Sequence, residues 1–221
     1  MLDHSMPTDS RMINVFLIDD HKMFRQGLKR LIDYESDMKV VGEASNGVEG
    51  MDRLHKLDAN VVLLDITLPG KNGLEILKEV KGAFPKAKVL ILSMHPEERF
   101  GVRALKSGAD GYLTKESAAD ELVEAIRKVV RGRKHIPQRL AEVLAEVTKR
   151  EDGLAPHEAL SERELSVMLL IGSGKTPTEI ARQLNLSPPT VSTYRKRILT
   201  KMNMTTTVEI IRYVMENHLA E

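Results

Sequence analysis

The stretch that decides the fold is Val61-Val62-Leu63-Leu64-Asp65-Ile66-Thr67-Leu68-Pro69-Gly70. Its apolar residues run to Leu64 without polar alternation, which predicts a strand buried on both faces, as in a parallel sheet. Asp65 then lies at the carboxyl end of the strand, the edge at which open α/β sheets bind ligands. Taken alone, Asp65 could equally close a turn, as strand-end aspartates often do. The surrounding sequence has to decide between these interpretations.

The composition of the 221 residues excludes several classes of protein and of site. The chain contains no cysteine, which excludes disulfides, a thiol nucleophile and cysteine-bound zinc. It has no apolar run as long as a membrane span, and residues 1–11 are polar where a secretory signal would be apolar. We interpret 1–11 as a disordered tail and expect a soluble, cytoplasmic protein with no membrane partner. The length suits one large domain or two small ones.

The first half alternates buried-type strands with amphipathic helical patterns. Five such pairs predict a parallel sheet with helices on both faces, because each crossover returns the chain to the same edge. The predicted strands are 13–18, 39–44, 61–65, 88–93 and 111–115, and we expect Ser117 to cap the last helix.

Polar residues gather where these strands end. Converging carboxylates repel one another unless a cation lies among them, and oxygen ligands favour Mg²⁺. A lysine beside Mg²⁺ suits an incoming phosphoryl group, and one carboxylate would act as the nucleophile. Each residue also has an ordinary interpretation as a helix cap, a turn hydroxyl or a solvated charge. The residues are Asp19 and Asp20 after the first strand, Asp65, Ser93 and Lys115.

These residues, with Leu68-Pro69-Gly70 and the segment 108–115, resemble the receiver domain of two-component response regulators. The resemblance covers about residues 12–132 and implies a flavodoxin-like (βα)5 fold with strand order 2-1-3-4-5. It implies that Asp65 accepts phosphate from a sensor histidine kinase. Asp20 and Asp65 would bind Mg²⁺ with the backbone carbonyl of Thr67, and Asp19 would act mainly through water. Lys115 and Ser93 would hold the phosphate, Tyr112 would partner Ser93 in switching, and Glu116 stands where many receivers have a cis proline.

The second half is predicted to be helical. Ser161–Glu164 and Thr176–Glu179 have capping-box spacing, and Ser187-Pro188 opens a third helix. Short helices joined by tight turns predict a helix-turn-helix. No acid lies between Glu179 and Glu209, and a surface of one sign suits a phosphate backbone. The basic residues of this interval are Arg182, Arg195, Lys196, Arg197 and Lys201.

Several segments of this half, among them Leu160-Ser161-Glu162-Arg163-Glu164 and Ile198-Leu199-Thr200-Lys201-Met202, resemble the LuxR-type DNA-binding domain. We assign 133–156 to a linker containing a helix over 138–149, and 157–221 to this domain. Together the domains imply a transcriptional regulator of the NarL/FixJ class, a homodimer when phosphorylated, that binds double-stranded DNA. With Val191, Ile198 and Met202 inward, the outer face of the third helix carries Ser192, Thr193 and Lys196 for bases, with Arg195, Arg197 and Lys201 as phosphate contacts.

Two rival functions use some of the same residues. Phosphatases of the haloacid dehalogenase type also combine a strand-end aspartate, Mg²⁺ and a lysine, but they need an acid two residues later, where this chain has Thr67. A regulator that ignores phosphate would need DNA or protein contacts only, and the full set of Asp, Ser and Lys residues argues against it. Apart from self-phosphorylation and self-dephosphorylation at Asp65, we expect no enzymatic activity.

Overall fold

The computed structural model describes residues 12–69, 71–94, 97–149, 155–217 and 219. The predicted tail 1–11 lies outside these residues, as do residues 150–154 of the predicted linker. None of the described helices is long and apolar enough to cross a membrane.

Within the described residues, five parallel strands form one sheet in the order β2-β1-β3-β4-β5, which confirms the predicted order. Every residue of β3 is buried, as expected for a central strand covered on both faces. The strands are β1 Ile13–Ile18, β2 Met38–Ala44, β3 Val61–Asp65, β4 Lys88–Ser93 and β5 Gly111–Thr114.

Helices cover the two faces of the sheet and bury separate apolar cores. On one face, Leu28 of the first helix and Ile126 of the fifth pack against odd-numbered β3 residues such as Leu63. On the other, Leu77 and Phe100 belong to the core that contains Leu64. The helices are α1 Lys22–Tyr34, α2 Gly47–Leu54, α3 Gly73–Ala83, α4 Glu97–Lys106 and α5 Ala118–Val130.

The turn after β3 is held by close backbone approach. A Cβ atom on Gly73 would lie 2.1 Å from the carbonyl oxygen of Asp65, so only glycine fits there. The Asn72 side chain caps α3 by accepting from the Leu74 N–H at 2.8 Å. Ser117 holds the N-cap position of α5, as predicted, but its side chain makes no capping hydrogen bond, because its hydroxyl donates to the Thr114 carbonyl oxygen at 3.3 Å instead.

The segment after α5 remains attached to the sheet. His135 forms a parallel bridge with Gly111, and its carbonyl oxygen accepts from the Tyr112 N–H at 3.1 Å. The predicted linker helix α6 spans Gln138–Lys149, and Leu140 on it is fully buried. A Cβ on Gly101 would lie 2.6 Å from a Leu140 methyl carbon, so this glycine allows α6 to lie close against α4.

The described part of the second half contains four α-helices after a 3-10 turn at Pro156–Ala159. Both predicted capping boxes are present, at Ser161/Glu164 and Thr176/Glu179, and a third is formed by Thr206 and Glu209. Ser187 caps the third helix through the Thr190 N–H. The helices are α7 Glu162–Gly172, α8 Pro177–Gln183, α9 Pro188–Lys201 and α10 Thr207–Glu216.

Candidate functional site

The carboxyl edge of the sheet holds the predicted cluster of polar side chains. Lys115, which follows β5, places its ammonium nitrogen 2.6 Å from Asp65 Oδ2 and 2.6 Å from Asp19 Oδ2. The three side chains are no more than 5 % exposed. Ser93 is fully buried at the end of β4, and its carbonyl oxygen accepts from the Lys115 N–H at 2.7 Å. One buried cation thus lies between two buried carboxylates.

The buried charges shift one another's pKa values. The pKa of Asp65 is raised to about 6, because burying the charge, with Asp19 nearby, outweighs the stabilising ammonium of Lys115. Burial disfavours the Lys115 ammonium, but its contacts with Asp65 and Asp19 more than compensate and raise its pKa. The chain therefore keeps a protonated lysine beside a carboxyl group that is costly to ionise.

Neighbouring groups fix the orientation of the two buried acids. The Thr67 N–H donates to Asp65 Oδ1 at 2.9 Å, which leaves Oδ2 facing Lys115. The His21 N–H donates to Asp19 Oδ1 at 2.7 Å, and the Arg25 guanidinium donates to the Asp19 carbonyl oxygen. The Lys115 ammonium also lies 4.9 Å from the centre of the Phe24 ring.

The donor set at this edge fits a divalent cation. Single ligand atoms of Asp19, Asp20, His21 and Asp65 all lie within 4.8 Å of one another. Asp19 Oδ2 is buried and lies 2.6 Å from the Lys115 ammonium nitrogen. Asp20 is 36 % exposed, so a hydrated ion can reach the cluster from solvent. Carboxylate oxygens with access to water are the environment that Mg²⁺ prefers.

The predicted switch residues lie in neighbouring strands, two register positions apart. In the β4–β5 register, Ser93 is paired with Thr114 and Ile91 with Tyr112. The Tyr112 side chain is fully buried, so its ring already occupies the protein interior. No cis peptide bond occurs among the described residues, so the bond between Lys115 and Glu116 is trans.

The two halves of the chain contact each other through α4 and the segment before α7. The Arg103 guanidinium of α4 donates to the carbonyl oxygens of His157 at 2.6 Å and Leu160 at 2.9 Å. A cavity in the same interface is lined by Thr67 from the loop after β3 and by the buried Arg163 of α7. Sequence patterns did not single out Arg103, because its partners are backbone carbonyl oxygens of a distant segment.

The outer face of α9 is exposed, as predicted. Val191, Ile198 and Met202 are buried against the domain core, whereas the predicted DNA-contacting side chains point to solvent. The exposed residues are Ser192, Thr193, Arg195, Lys196, Arg197 and Lys201.

Four of the six exposed side chains already make hydrogen bonds within the protein. The hydroxyls of Ser192 and Thr193 donate to the carbonyl oxygens of Pro188 at 3.2 Å and Pro189 at 3.1 Å. Lys201 Nζ donates to Glu164 Oε2 at 2.6 Å, and Arg195 donates to Thr207 Oγ1 at 2.9 Å. Arg197 lies 5.9 Å from the centre of the Tyr194 ring. Lys196 and Arg197 are therefore better placed than Lys201 to meet a nucleic acid without losing a polar protein contact.

Comparison with protein families assigns both halves of the chain. Residues 15–127 match the family described as "Response regulator receiver domain", and residues 158–214 match "Bacterial regulatory proteins, luxR family". Among curated relatives, the response regulator UvrY of Escherichia coli strain K12 is 38 % identical over 209 residues. That alignment covers 94 % of this chain and 96 % of UvrY.

Solved structures of similar arrangement come from RcsB. RcsB of Salmonella enterica serovar Typhimurium, bound to promoter P1flhDC in the presence of phosphomimetic BeF3⁻, is 27 % identical with a TM-score of 0.58. The alignment covers 91 % of this chain and 97 % of that one. A structure of two RcsB dimers bound to two parallel DNAs is also 27 % identical, with a TM-score of 0.59, and covers 93 % and 98 %.

Proposed function

The chain belongs to the NarL/FixJ class of response regulators, which are DNA-binding regulators of transcription, and we propose that phosphorylation of Asp65 by a sensor histidine kinase switches it. The observation that supports this assignment is the buried Lys115 ammonium lying 2.6 Å from both Asp65 and Asp19. A site that places a fixed cation beside a recessed carboxylate suits the transfer of a negatively charged group. As a DNA-binding regulator of bacterial type, the chain would act in the cytoplasm.

The transfer requires little of the protein beyond positioning. An Asp65 carboxylate oxygen attacks phosphorus, and the bond from phosphorus to the donor breaks, with its electrons leaving on the kinase histidine or on acetate when acetyl phosphate is the donor. Lys115 neutralises charge on the incoming phosphoryl oxygens, and the Ser93 hydroxyl gives them a hydrogen bond. The Thr67 N–H holds the other carboxylate oxygen.

Mg²⁺ is the cation that this proposal requires. Asp20 and Asp65 would hold it directly with the Thr67 carbonyl oxygen, and Asp19 would hold it mainly through water. When bound, Mg²⁺ supplies charge neutralisation for the carboxylates and the phosphoryl group. The same site would allow the slow self-phosphorylation and self-dephosphorylation that we expect at Asp65.

The switch would act through the face that carries Ser93, Tyr112 and α4. A phosphoryl group on Asp65 offers new hydrogen-bond acceptors to Ser93 and Lys115. Movement at Ser93 and Tyr112 biases α4, whose Arg103 is bonded to the segment preceding α7. We propose that this change favours a homodimer and raises DNA affinity, and the RcsB dimers bound to DNA support that arrangement.

Ser93→Ala should separate phosphorylation from its consequence. The variant keeps Asp65 and Lys115, so acetyl phosphate should still add one phosphoryl mass. Its gain in dimerisation and DNA affinity on phosphorylation should be smaller than that of the wild type, because the hydroxyl that follows the phosphate is gone. Analytical ultracentrifugation and fluorescence anisotropy with labelled DNA measure both quantities. Equal gains in the two proteins would contradict the proposed coupling, and no gain in the wild type would contradict the proposed function.

DNA would be read by the first turns of α9. In helix-turn-helix proteins the recognition helix enters the major groove by its N-terminal part. Ser192 and Thr193 are short and can meet base edges or thymine methyl groups, while Lys196 can reach guanine acceptors one turn later. Arg195, Arg197 and Lys201 are the proposed phosphate contacts, which position the helix without specifying sequence.

Lys196→Ala is expected to cost about 1–3 kcal/mol of binding free energy on the best site and to relax preference at one base pair. Arg197→Ala is the matched variant, since Lys201 is bonded to Glu164 and its removal would strip a buried carboxylate of its partner. Arg197→Ala should weaken all sequences alike and flatten the salt dependence by about one unit of slope. Binding-site selection at two salt concentrations measures both effects. If Lys196→Ala keeps its full preference for the best DNA sequence while Arg197→Ala loses that preference, α9 lies in the groove with a different face toward the bases.

A further inference from the structure

His21 adds a nitrogen donor to the cluster of acids at the end of β1. Its Nδ1 atom lies 2.8 Å from Asp20 Oδ1, 3.3 Å from Asp19 Oδ1 and 3.9 Å from Asp65 Oδ2. The ring is 59 % exposed, whereas the side chains of Asp19 and Asp65 are almost fully buried. His21 therefore lies between solvent and the buried part of the site.

These separations are those of ligands that share one metal ion. In an octahedral site with bonds of about 2.1 Å, adjacent ligand atoms lie about 3 Å apart and opposite ones about 4.2 Å apart. The distances from Nδ1 to the three carboxylates span this range. Metal–imidazole bonds of about 2.0–2.1 Å have the same length as the carboxylate bonds, so the distances from Nδ1 to the three carboxylates allow it to share an ion with them.

The orientation of the imidazole supports the same conclusion. Nδ1 lies 3.4 Å from the Lys115 ammonium nitrogen, and an ammonium group can only donate. The single Nδ1 lone pair that accepts from the ammonium is the one that a metal ion would take in its place, so the ring presents this atom to the interior of the cluster. The backbone of His21 is fixed, since its N–H donates to Asp19 Oδ1 and its carbonyl oxygen accepts from the Arg25 N–H at 3.0 Å. The side chain does not cap α1, although His21 holds the N-cap position.

We propose that His21 Nδ1 is a direct ligand at the phosphorylation site for divalent cations that accept imidazole nitrogen, such as Co²⁺, Ni²⁺ and Zn²⁺. This inference rests on the proposed function, because it uses the same carboxylates. Imidazole suits these ions, whereas Mg²⁺ selects oxygen and keeps its water, so His21 stays outside the coordination sphere of Mg²⁺. With His21 as a ligand, the preference of the site for Co²⁺, Ni²⁺ and Zn²⁺ over Mg²⁺ is larger than the preference of the three carboxylates alone.

The test compares two cations on the full chain and two histidine variants. Isothermal titration calorimetry with CoCl₂ and with MgCl₂, at one fixed pH, gives both affinities for the wild type, His21→Gln and His55→Gln. His55 is the control, because it is exposed on α2's C-terminal side and its ring contacts Phe84. His21→Gln should lower the Co²⁺ affinity at least tenfold and change the Mg²⁺ affinity less than about twofold. His55→Gln should change neither.

A second measurement observes the imidazole itself, and the unchanged Mg²⁺ affinity of the variant shows that its site is still folded. Co²⁺ bound to the wild type should give a strongly shifted imidazole N–H proton signal in NMR, which persists in His55→Gln and is absent from His21→Gln. Unchanged Co²⁺ affinity together with an unchanged signal in His21→Gln would overturn the inference alone. Failure of the wild type to bind either cation would overturn the proposed Mg²⁺ site as well.

Discussion

Asp65→Asn is expected to abolish phosphoryl transfer from acetyl phosphate to the main site. Asparagine keeps the size of the side chain, but it removes the nucleophilic oxygen and one anionic ligand of the metal. In the presence of Mg²⁺ the wild type should gain the mass of one phosphoryl group, and the variant should gain none. Intact-protein mass spectrometry measures this directly, and omission of Mg²⁺ should suppress labelling of the wild type.

A second acid serves as the control for that experiment. Asp52 lies on α2, is exposed, and can be replaced by asparagine without touching the cluster. Asp52→Asn should be labelled as fast as the wild type. If Asp65→Asn is labelled equally well, Asp65 is not the acceptor. Since the chain has a Lys115 ammonium next to Asp65 and not next to Asp52, only the first site has the positioned charge that transfer needs.

The parts of the site that could be predicted are those fixed by strand topology. Asp65 and Lys115 are 50 positions apart, yet Asp65 ends β3 and Lys115 directly follows β5. Parallel strands end at one edge, so alternation of strands and helices was enough to bring them together. For α9, the helical spacing of Val191, Ile198 and Met202 predicted which face is buried and therefore which face is exposed.

The parts that could not be predicted depend on single side-chain partners. Lys201 is a basic residue, as a phosphate contact would be, but its ammonium donates to Glu164, which lies 37 positions earlier in the chain. Arg103 pairs with carbonyl oxygens, which every residue carries, so no residue type marks its partners. His21 belongs to the cluster because its ring nitrogen lies close to the carboxylates. Ser117 makes no side-chain cap because its hydroxyl donates to the Thr114 carbonyl oxygen. Local spacing does not encode such choices.

The free energy of unfolding of Asp65→Asn, relative to that of the wild type, should increase as pH rises. The pKa of Asp65 is about 6 in the folded protein and about 3.9 in an unfolded chain. Between these values the folded state binds more protons, so the stability from protonated Asp65, present below pH 4, is lost as pH rises through 6. Asparagine does not titrate and avoids this loss. About two pKa units correspond to about 3 kcal/mol, which is the expected growth in the stability difference from pH 4 to pH 7.

Urea unfolding in EDTA at several pH values measures this difference, with Asp52→Asn as the control that should follow the wild type. Subtracting the wild type removes carboxylates whose pKa is lowered by their own partners, such as Asp110 beside Lys81 and Asp37 beside Arg127. Mg²⁺ should shrink the effect, because a bound cation favours the ionised carboxylate and lowers its pKa. If the difference in unfolding free energy between Asp65→Asn and the wild type stays constant from pH 4 to pH 7 in EDTA, burial does not raise the pKa of Asp65. The buried charge at the proposed phosphorylation site would then not lower the free energy of unfolding.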